Sequence, residues 1–158
     1  MTEPRCRVAD VLEIQGVLSR YTFACDTRDW NLLDSCFLPD ARVEYESLQA
    51  FPDGYAGLRK STIRTLGLLR STQHLLGNLH VTLDGDRASA ISYVQATHVG
   101  PDGRAWVTGG RYDDELVRTE SGWRIGARTF RRQWRSDPDG LAADITRQAA
   151  RLAASSPG

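Results

Sequence analysis

The 158-residue chain lacks the patterns that would indicate a disulfide framework, a zinc site or a basic nucleic-acid surface. Its 3 cysteines are odd in number and show no Cys-x-x-Cys spacing. Its 20 basic and 20 acidic residues cancel, and no block of lysine and arginine is present. These absences argue against nucleic acid or an anionic membrane as a partner, and they favour a small molecule or another protein.

The sequence also lacks a long apolar run, so neither a signal peptide nor a membrane-spanning helix is predicted. Together with the cysteine pattern, this favours a soluble protein of the reducing cytoplasm. A content of 41% hydrophobic residues suits one domain with a core of ordinary size. We expect a single domain over residues 1–136, followed by a tail over 137–158 whose segment 141–153 could form a helix.

Apolar periodicity predicts helices in the first half of the chain. Residues 11–25 repeat apolar side chains, including Leu12, at steps of three and four, and residues 29–37 and 58–69 continue the pattern in two shorter helices. Between them, 41–46 alternates as a short strand, and the loop 49–57 could act as a lid.

The second half of the chain alternates polar and apolar residues between turn signals, which predicts an antiparallel meander. Its strands are expected at 73–83, 87–99, 104–118 and 123–135. Helices followed by a meander make an α+β domain. Strands of this length must bend to stay packed on short helices, so the curved sheet should enclose a cone. The glycines that could provide the bends are Gly77, Gly109, Gly110 and Gly126.

Two histidines within these strands are candidates for chemistry. His98 shares a strand face with a row of small and apolar residues from Ala88 to Ala96, so it should face the interior. Strict alternation would place His74 on the polar face, whereas a bulge at Gly77 would turn it inward. His80 lies beyond the same glycine and is expected on the surface.

Asp26 follows the apolar stripe of the first helix and lies where its carboxylate could reach an interior cavity. Asp26 could instead cap the next helix. Likewise, a buried histidine could serve only as a hydrogen-bonding group of the core.

Two histidines and a carboxylate can bind iron or zinc, but the close spacing usual for metal ligands is missing. No Gly-x-Ser-x-Gly motif suggests a nucleophile. Proton transfer by imidazole and carboxylate is the chemistry that these residues favour.

The chain resembles the scytalone dehydratase and SnoaL-like branch of the nuclear transport factor 2-like superfamily over about residues 8 to 136. The segments that carry the resemblance are Tyr21 to Trp30, Tyr45, Thr72-Gln73-His74, His98 and Gly122-Trp123-Arg124-Ile125. Asp-x-x-Asp-Trp and Thr-Gln-His are its most specific parts. The resemblance implies a cone-shaped curved antiparallel sheet packed on N-terminal helices, the fold that periodicity predicts independently.

The resemblance also implies roles for the three candidate residues. Asp26 would orient and charge-balance His98, His98 would act as the acid and base, and His74 would complete the polar pocket. Such a pairing would raise the pKa of His98 unless burial opposes it.

In the same family, two tyrosines hold a water on the substrate carbonyl. Tyr45 matches one of them, and Cys25 stands in the place of the other. Tyr21 is similar to a tyrosine of bile acid dehydratases and could supply the missing hydroxyl. The residues expected to contact the substrate are Cys25, Trp30, Phe51, Val94 and Tyr112.

The predicted function is that of a dehydratase or isomerase/cyclase that uses no cofactor and no metal. Its substrate would be an apolar cyclic carbonyl or polyketide-like molecule held in an enclosed pocket. The alternative is a non-catalytic small-molecule-binding or oligomerising subunit, because one fold can host many functions. The resemblance further implies a homo-oligomer, either a trimer or a dimer.

Overall fold

Four helices pack on a curved sheet in the computed structural model, which describes residues 7–46 and 49–155. The helices are α1 (Arg7–Thr27), α2 (Trp30–Asp34), α3 (Tyr55–Gly67) and α4 (Leu141–Ser155). The strands are β1 (Phe37–Tyr45), β2 (Gln49–Ala50), β3 (Ser71–Asp84), β4 (Arg87–Val99), β5 (Ala105–Thr119) and β6 (Gly122–Ser136). None of these described helices is long and apolar enough to cross a membrane.

The sheet confirms the predicted α+β class and its four-strand meander, but it is mixed rather than antiparallel throughout. Its order is β2-β1-β6-β5-β4-β3. β1 pairs in parallel with β6, although the whole meander separates the two strands along the chain. The predicted antiparallel sheet is therefore wrong at this one pair.

Three register shifts bend the long strands at the predicted glycines. One lies between Gly77 and His80 in β3, and another lies opposite Gly109 and Gly110 of β5, where β6 has one extra residue. The third leaves Gly126 of β6 without an opposite residue. An extra residue bends a strand and increases its twist, so these shifts curve the sheet around the helices.

Helix boundaries differ from the periodic pattern where tertiary contacts prevail. The predicted helix 29–37 ends at Asp34, since Phe37 is buried and pairs with Ile125 of β6. α3 starts at Tyr55, inside the predicted loop 49–57, and residues 47–48 just before that loop lie outside the described residues. The segment 141–153 does form a helix, and it packs on α3 and β5.

α1 supplies the central apolar face against the concave side of the sheet. Its buried residues are Ile14, Val17, Leu18, Tyr21, Thr22, Ala24 and Cys25, at helical spacing. Leu12 was predicted on this face but is 61% exposed. The buried face thus runs to the last turns of α1, where Asp26 lies.

Candidate active site

A cavity of about 700 Å³ lies between the concave face of the sheet, the end of α1, and helices α3 and α4. Its walls are mainly apolar and aromatic, which suits a ring-containing ligand. The predicted site residues that line it are Tyr21, Cys25, Tyr45, Phe51, His74, Val94, His98 and Tyr112. Their catalytic and binding roles stay predictions.

Trp30 does not line the cavity, so its predicted contact with the substrate is wrong. α1 ends at Thr27, and Arg28 takes a positive φ of 57° that turns the chain. Trp30 then begins α2 and packs against the hydrophobic core instead.

His74 faces the cavity because the bulge in β3 reverses the alternation of the strand. Before the bulge, Thr72, His74 and Leu76 are the residues turned inward, and after it the inward positions are odd-numbered. His80 is exposed, as predicted. The bulge therefore decides the orientation that strict alternation left open.

Asp26 is hydrogen-bonded to His74, and the predicted pairing of Asp26 with His98 is wrong. The Asp26 Oδ1 atom lies 2.6 Å from His74 Nδ1, and Asp26 Oδ2 accepts a 2.8 Å hydrogen bond from the His74 backbone N–H. Thr72 Oγ1 donates a third hydrogen bond, 2.9 Å long, to the same carboxylate. β3 packs on α1, which brings His74 and not His98 to the end of the helix.

The capping alternative for Asp26 is also settled by these contacts. Asp29 is the N-cap of α2 and accepts a hydrogen bond of 2.9 Å from the backbone N–H of Leu32. Asp26 lies within α1, and its carboxylate is directed at β3. Asp29 is thus the residue of the Asp-x-x-Asp-Trp motif that starts the helix.

The carboxylate of Asp26 fixes the tautomer of His74. Burial raises the pKa of Asp26, but hydrogen bonds from the side chain and backbone of His74 lower it more, so the net pKa is below its ordinary value. An ionised carboxylate accepts but does not donate, so Nδ1 of His74 must carry the proton. In the neutral ring this leaves Nε2 as the basic nitrogen of a residue that lines the cavity.

His98 lies beside His74 as a neutral ring, because burial opposes the rise in pKa that pairing with a carboxylate would give. It stacks on Trp106 with ring centroids 4.2 Å apart, and its ring meets that of His74 edge-on at 5.9 Å. Burial, followed by the nearby His74, lowers the pKa of His98 to about 3. Its Nδ1 atom is buried with no hydrogen-bond partner in the described part of the chain.

Because His98 is neutral in the folded protein, we expect the stability of the fold to depend on pH. The unfolded chain, where histidine titrates near 6.5, takes up a proton before the folded chain does. Stability should therefore fall as pH drops from 6.5 towards 3, with His98 contributing up to about 1.4 kcal/mol per pH unit. Urea unfolding at pH 7 and about pH 5 measures this loss, and His98→Phe, which keeps a ring on Trp106, should show a shallower decline. Equal declines in both proteins would contradict the neutral state of His98.

Tyrosine hydroxyls form a second polar group in the cavity. The hydroxyl oxygens of Tyr21 and Tyr45 are 3.3 Å apart. Burial raises the pKa of both tyrosines, so their hydroxyls keep their protons and can donate hydrogen bonds. Burial also raises the pKa of Cys25 to about 12, which keeps it a neutral thiol rather than a nucleophilic thiolate.

A buried ion pair that sequence reasoning missed supports these tyrosines. Arg128 and Asp114 form two hydrogen bonds of 2.7 and 2.9 Å, and both side chains are fully buried. The Arg128 guanidinium lies 4.1 Å from the Tyr21 ring centroid and 4.0 Å from that of Tyr112. The two residues are cross-strand partners only because Gly126 is bulged, so simple hairpin counting could not have paired them.

The sequence of this chain matches the SnoaL-like domain over residues 7–129. It is a SnoaL-like protein. The uncharacterized protein Rv2910c of Mycobacterium tuberculosis is 37% identical over 120 residues, which cover 75% of this SnoaL-like chain and 82% of that protein.

Solved structures share the nuclear transport factor 2-like fold of this SnoaL-like chain. A candidate aromatic ring hydroxylase from Novosphingobium aromaticivorans is 33% identical, with a TM-score of 0.76 over 84% of this chain and 95% of that one. A candidate scytalone dehydratase from the same species is 22% identical, with a TM-score of 0.76 over 82% and 88%. A hexachlorocyclohexane dehydrochlorinase (LinA) is 20% identical, with a TM-score of 0.71 over 85% and 92%. At these low identities, the dehydratase and dehydrochlorinase structures show only that the fold is shared.

Proposed function

We propose that this SnoaL-like protein is a cofactor-independent lyase or isomerase in which His74, oriented by Asp26, is the acid and base. The observation that carries the proposal is the 2.6 Å contact between Asp26 and His74 at the wall of a largely apolar cavity. The fold is shared with a candidate dehydratase and with a dehydrochlorinase, and both names describe eliminations. The role that the resemblance assigned to His98 passes to His74.

The geometry supports a simple proton-transfer sequence. His74 Nε2 takes a proton from the carbon next to a substrate carbonyl, and Asp26 stabilises the imidazolium that forms. The electron pair of the broken C–H bond forms an enolate, whose oxygen accepts hydrogen bonds from Tyr21 and Tyr45. In a dehydration, collapse of the enolate expels the β-hydroxyl, and His74 returns its proton to that group so that water leaves. In an isomerisation, the proton returns to another carbon.

Loss of either tyrosine hydroxyl should slow this reaction. Tyr21→Phe and Tyr45→Phe are each expected to lower turnover by roughly 10²–10³-fold, as loss of one oxyanion donor does. Steady-state kinetics with circular dichroism as the folding test would measure it. Tyr93→Phe is the matched control, because Tyr93 is 43% exposed outside the cavity. Wild-type rates in both cavity variants would leave the carbonyl without the proposed donors.

Activity should survive dialysis against a chelator. Both Asp26 oxygens and His74 Nδ1 already take part in hydrogen bonds with each other or with Thr72, so they are not free ligands. Among residues 7–46 and 49–155, no group of three or more His, Cys, Asp or Glu side chains is placed to hold a metal ion. A loss of activity that added metal restores would contradict this expectation and favour a metal site.

The proposed reaction is tested by a mass-spectrometric screen of cyclic hydroxyketones for loss of water. Wild-type protein and His74→Ala are incubated with the same compounds in parallel. We expect at least one compound to lose water with the wild type and not with the variant. Turnover of none would favour the alternative, a non-catalytic binding or oligomerising subunit.

The predicted homo-oligomer, a trimer or a dimer, stays a proposal. Exposed apolar side chains on the outer face of the sheet support it, namely Leu75, Ile91, Tyr93 and Trp134. Contacts between copies would form on this face, away from the cavity.

A further inference from the structure

Three arginines are among the residues that line the cavity: Arg64, Arg132 and Arg135. Arg64 lies half-buried in the last turn of α3, and the other two lie exposed near the end of β6. No aspartate or glutamate lines the same cavity in the described part of the chain. The charged side chains of this wall are therefore all of one sign.

These arginines also differ from others on the surface in having no described acidic partner. Arg59, Arg104, Arg118 and Arg131 each form an ion pair with an aspartate at 3.0 Å or less. Across residues 7–46 and 49–155, no such ion pair is formed by the three cavity arginines. Their positive charge is available to a ligand.

A bulge in β6 places two of these arginines on the cavity side. Residues three apart in a regular strand face opposite sides of a sheet. Gln133 is an extra residue where the register of β6 against β5 shifts, so Arg132 and Arg135 both line the cavity. Trp134 lies between these two arginines in the sequence and packs on Gly109 of β5. A Cβ added to Gly109 would be 2.1 Å from the indole ring.

The sheet register relates this charge to the proposed base. His74 pairs with Ala96, Ala96 pairs with Thr108, and Thr108 pairs with Arg135, so all four belong to one cross-strand row. His74 and Arg135 are thus three strand spacings apart, about 14 Å along the curved sheet. Because the arginine side chain is long and the sheet is concave, a ring-sized molecule can span from one to the other.

We propose that the cavity binds an organic anion, with its ring between the apolar walls and a carboxylate or phosphate group held by Arg132 and Arg135, assisted by Arg64. Guanidinium groups bind such oxygens through paired, charge-assisted hydrogen bonds. This inference deepens the proposed function, on which it rests only for the position of the reacting end. The anionic group lies away from His74 and orients the reactive carbon towards it.

Calorimetric binding at low ionic strength tests the proposal without requiring turnover. The probes are 2-naphthoate, 2-naphthyl phosphate and the uncharged 2-naphthamide. Wild-type protein should bind at least one anion roughly tenfold more tightly than the amide, in line with hydrogen bonds to a charged group. The better anion identifies the group, and added salt should weaken its advantage.

The double variant Arg132→Gln/Arg135→Gln should lose the preference for the anion. Its affinity for the amide should stay unchanged. Arg87→Gln is a matched control for loss of positive charge, because Arg87 is exposed and does not line the cavity. His74→Ala should keep the preference, so a failed proposal about catalysis would not be confused with a failed anion site. Equal affinity for anion and amide, no binding of either, or a preference that survives the double substitution would overturn the proposal.

Discussion

Replacing His74 by alanine is expected to lower turnover by roughly 10²–10⁴-fold, the usual contribution of a general acid or base. The reason is its position: one ring nitrogen contacts Asp26 at 2.6 Å, and the ring lines the cavity. His80→Ala is the matched control, since His80 is an exposed histidine of the same strand. It should retain wild-type activity.

Asp26→Asn should cost a similar factor without unfolding the chain. The amide cannot balance the imidazolium, and it can present an N–H to His74 Nδ1 and so favour the wrong tautomer. The double variant should lose little more than either single one, because residues that act as a unit are not additive. Rates for the three variants, with circular dichroism as the folding test, measure this. Fully additive losses, or near-normal activity in folded Asp26→Asn, would show that Asp26 and His74 do not act as a unit.

The largest expected effect on stability comes from Asp114→Ala. This change leaves the Arg128 guanidinium buried without its carboxylate, and breaking a buried pair from one side costs about 3–5 kcal/mol. The free energy of unfolding, measured in urea at neutral pH, should fall by this amount. Turnover should fall too, because Arg128 packs on the ring of Tyr21.

The neighbouring Asp113 provides the control for that experiment. Asp113 pairs with Arg111 and Arg131 near the surface, where ion pairs contribute at most about 1 kcal/mol. Asp113→Ala should therefore be far milder than Asp114→Ala, although the residues are adjacent. Similar losses in the free energy of unfolding of the two variants would mean that the buried Arg128–Asp114 pair contributes no more to stability than a surface pair.

Periodicity predicted the meander and the buried face of α1 because both are local patterns. The parallel β1–β6 pair was not predictable in this way, since it joins segments far apart in sequence. Phe37 shows the same limit: helical spacing included it in the second helix, but pairing with Ile125 draws it into the sheet.

For the site, the sequence proposed candidate residues, but it did not predict all of their partners. Asp26, His74 and His98 were found as candidates, and the inward direction of His98 followed from alternation. The choice of His74 over His98 as the partner of Asp26 depends on how β3 passes α1, which no local pattern encodes. Arg128 and Arg132 were missed, because bulges in β6 determine what they face.

Exchange of carbon-bound hydrogen for solvent deuterium tests the central claim most directly. Cyclic ketones that fit the cavity are incubated in D₂O with wild-type protein, His74→Ala and the control His80→Ala, and incorporation next to the carbonyl is followed by NMR. If His74 is the base, the wild type and His80→Ala should exchange this hydrogen, and His74→Ala should not. Equal exchange with His74→Ala, or none with the wild type, would contradict proton abstraction by His74.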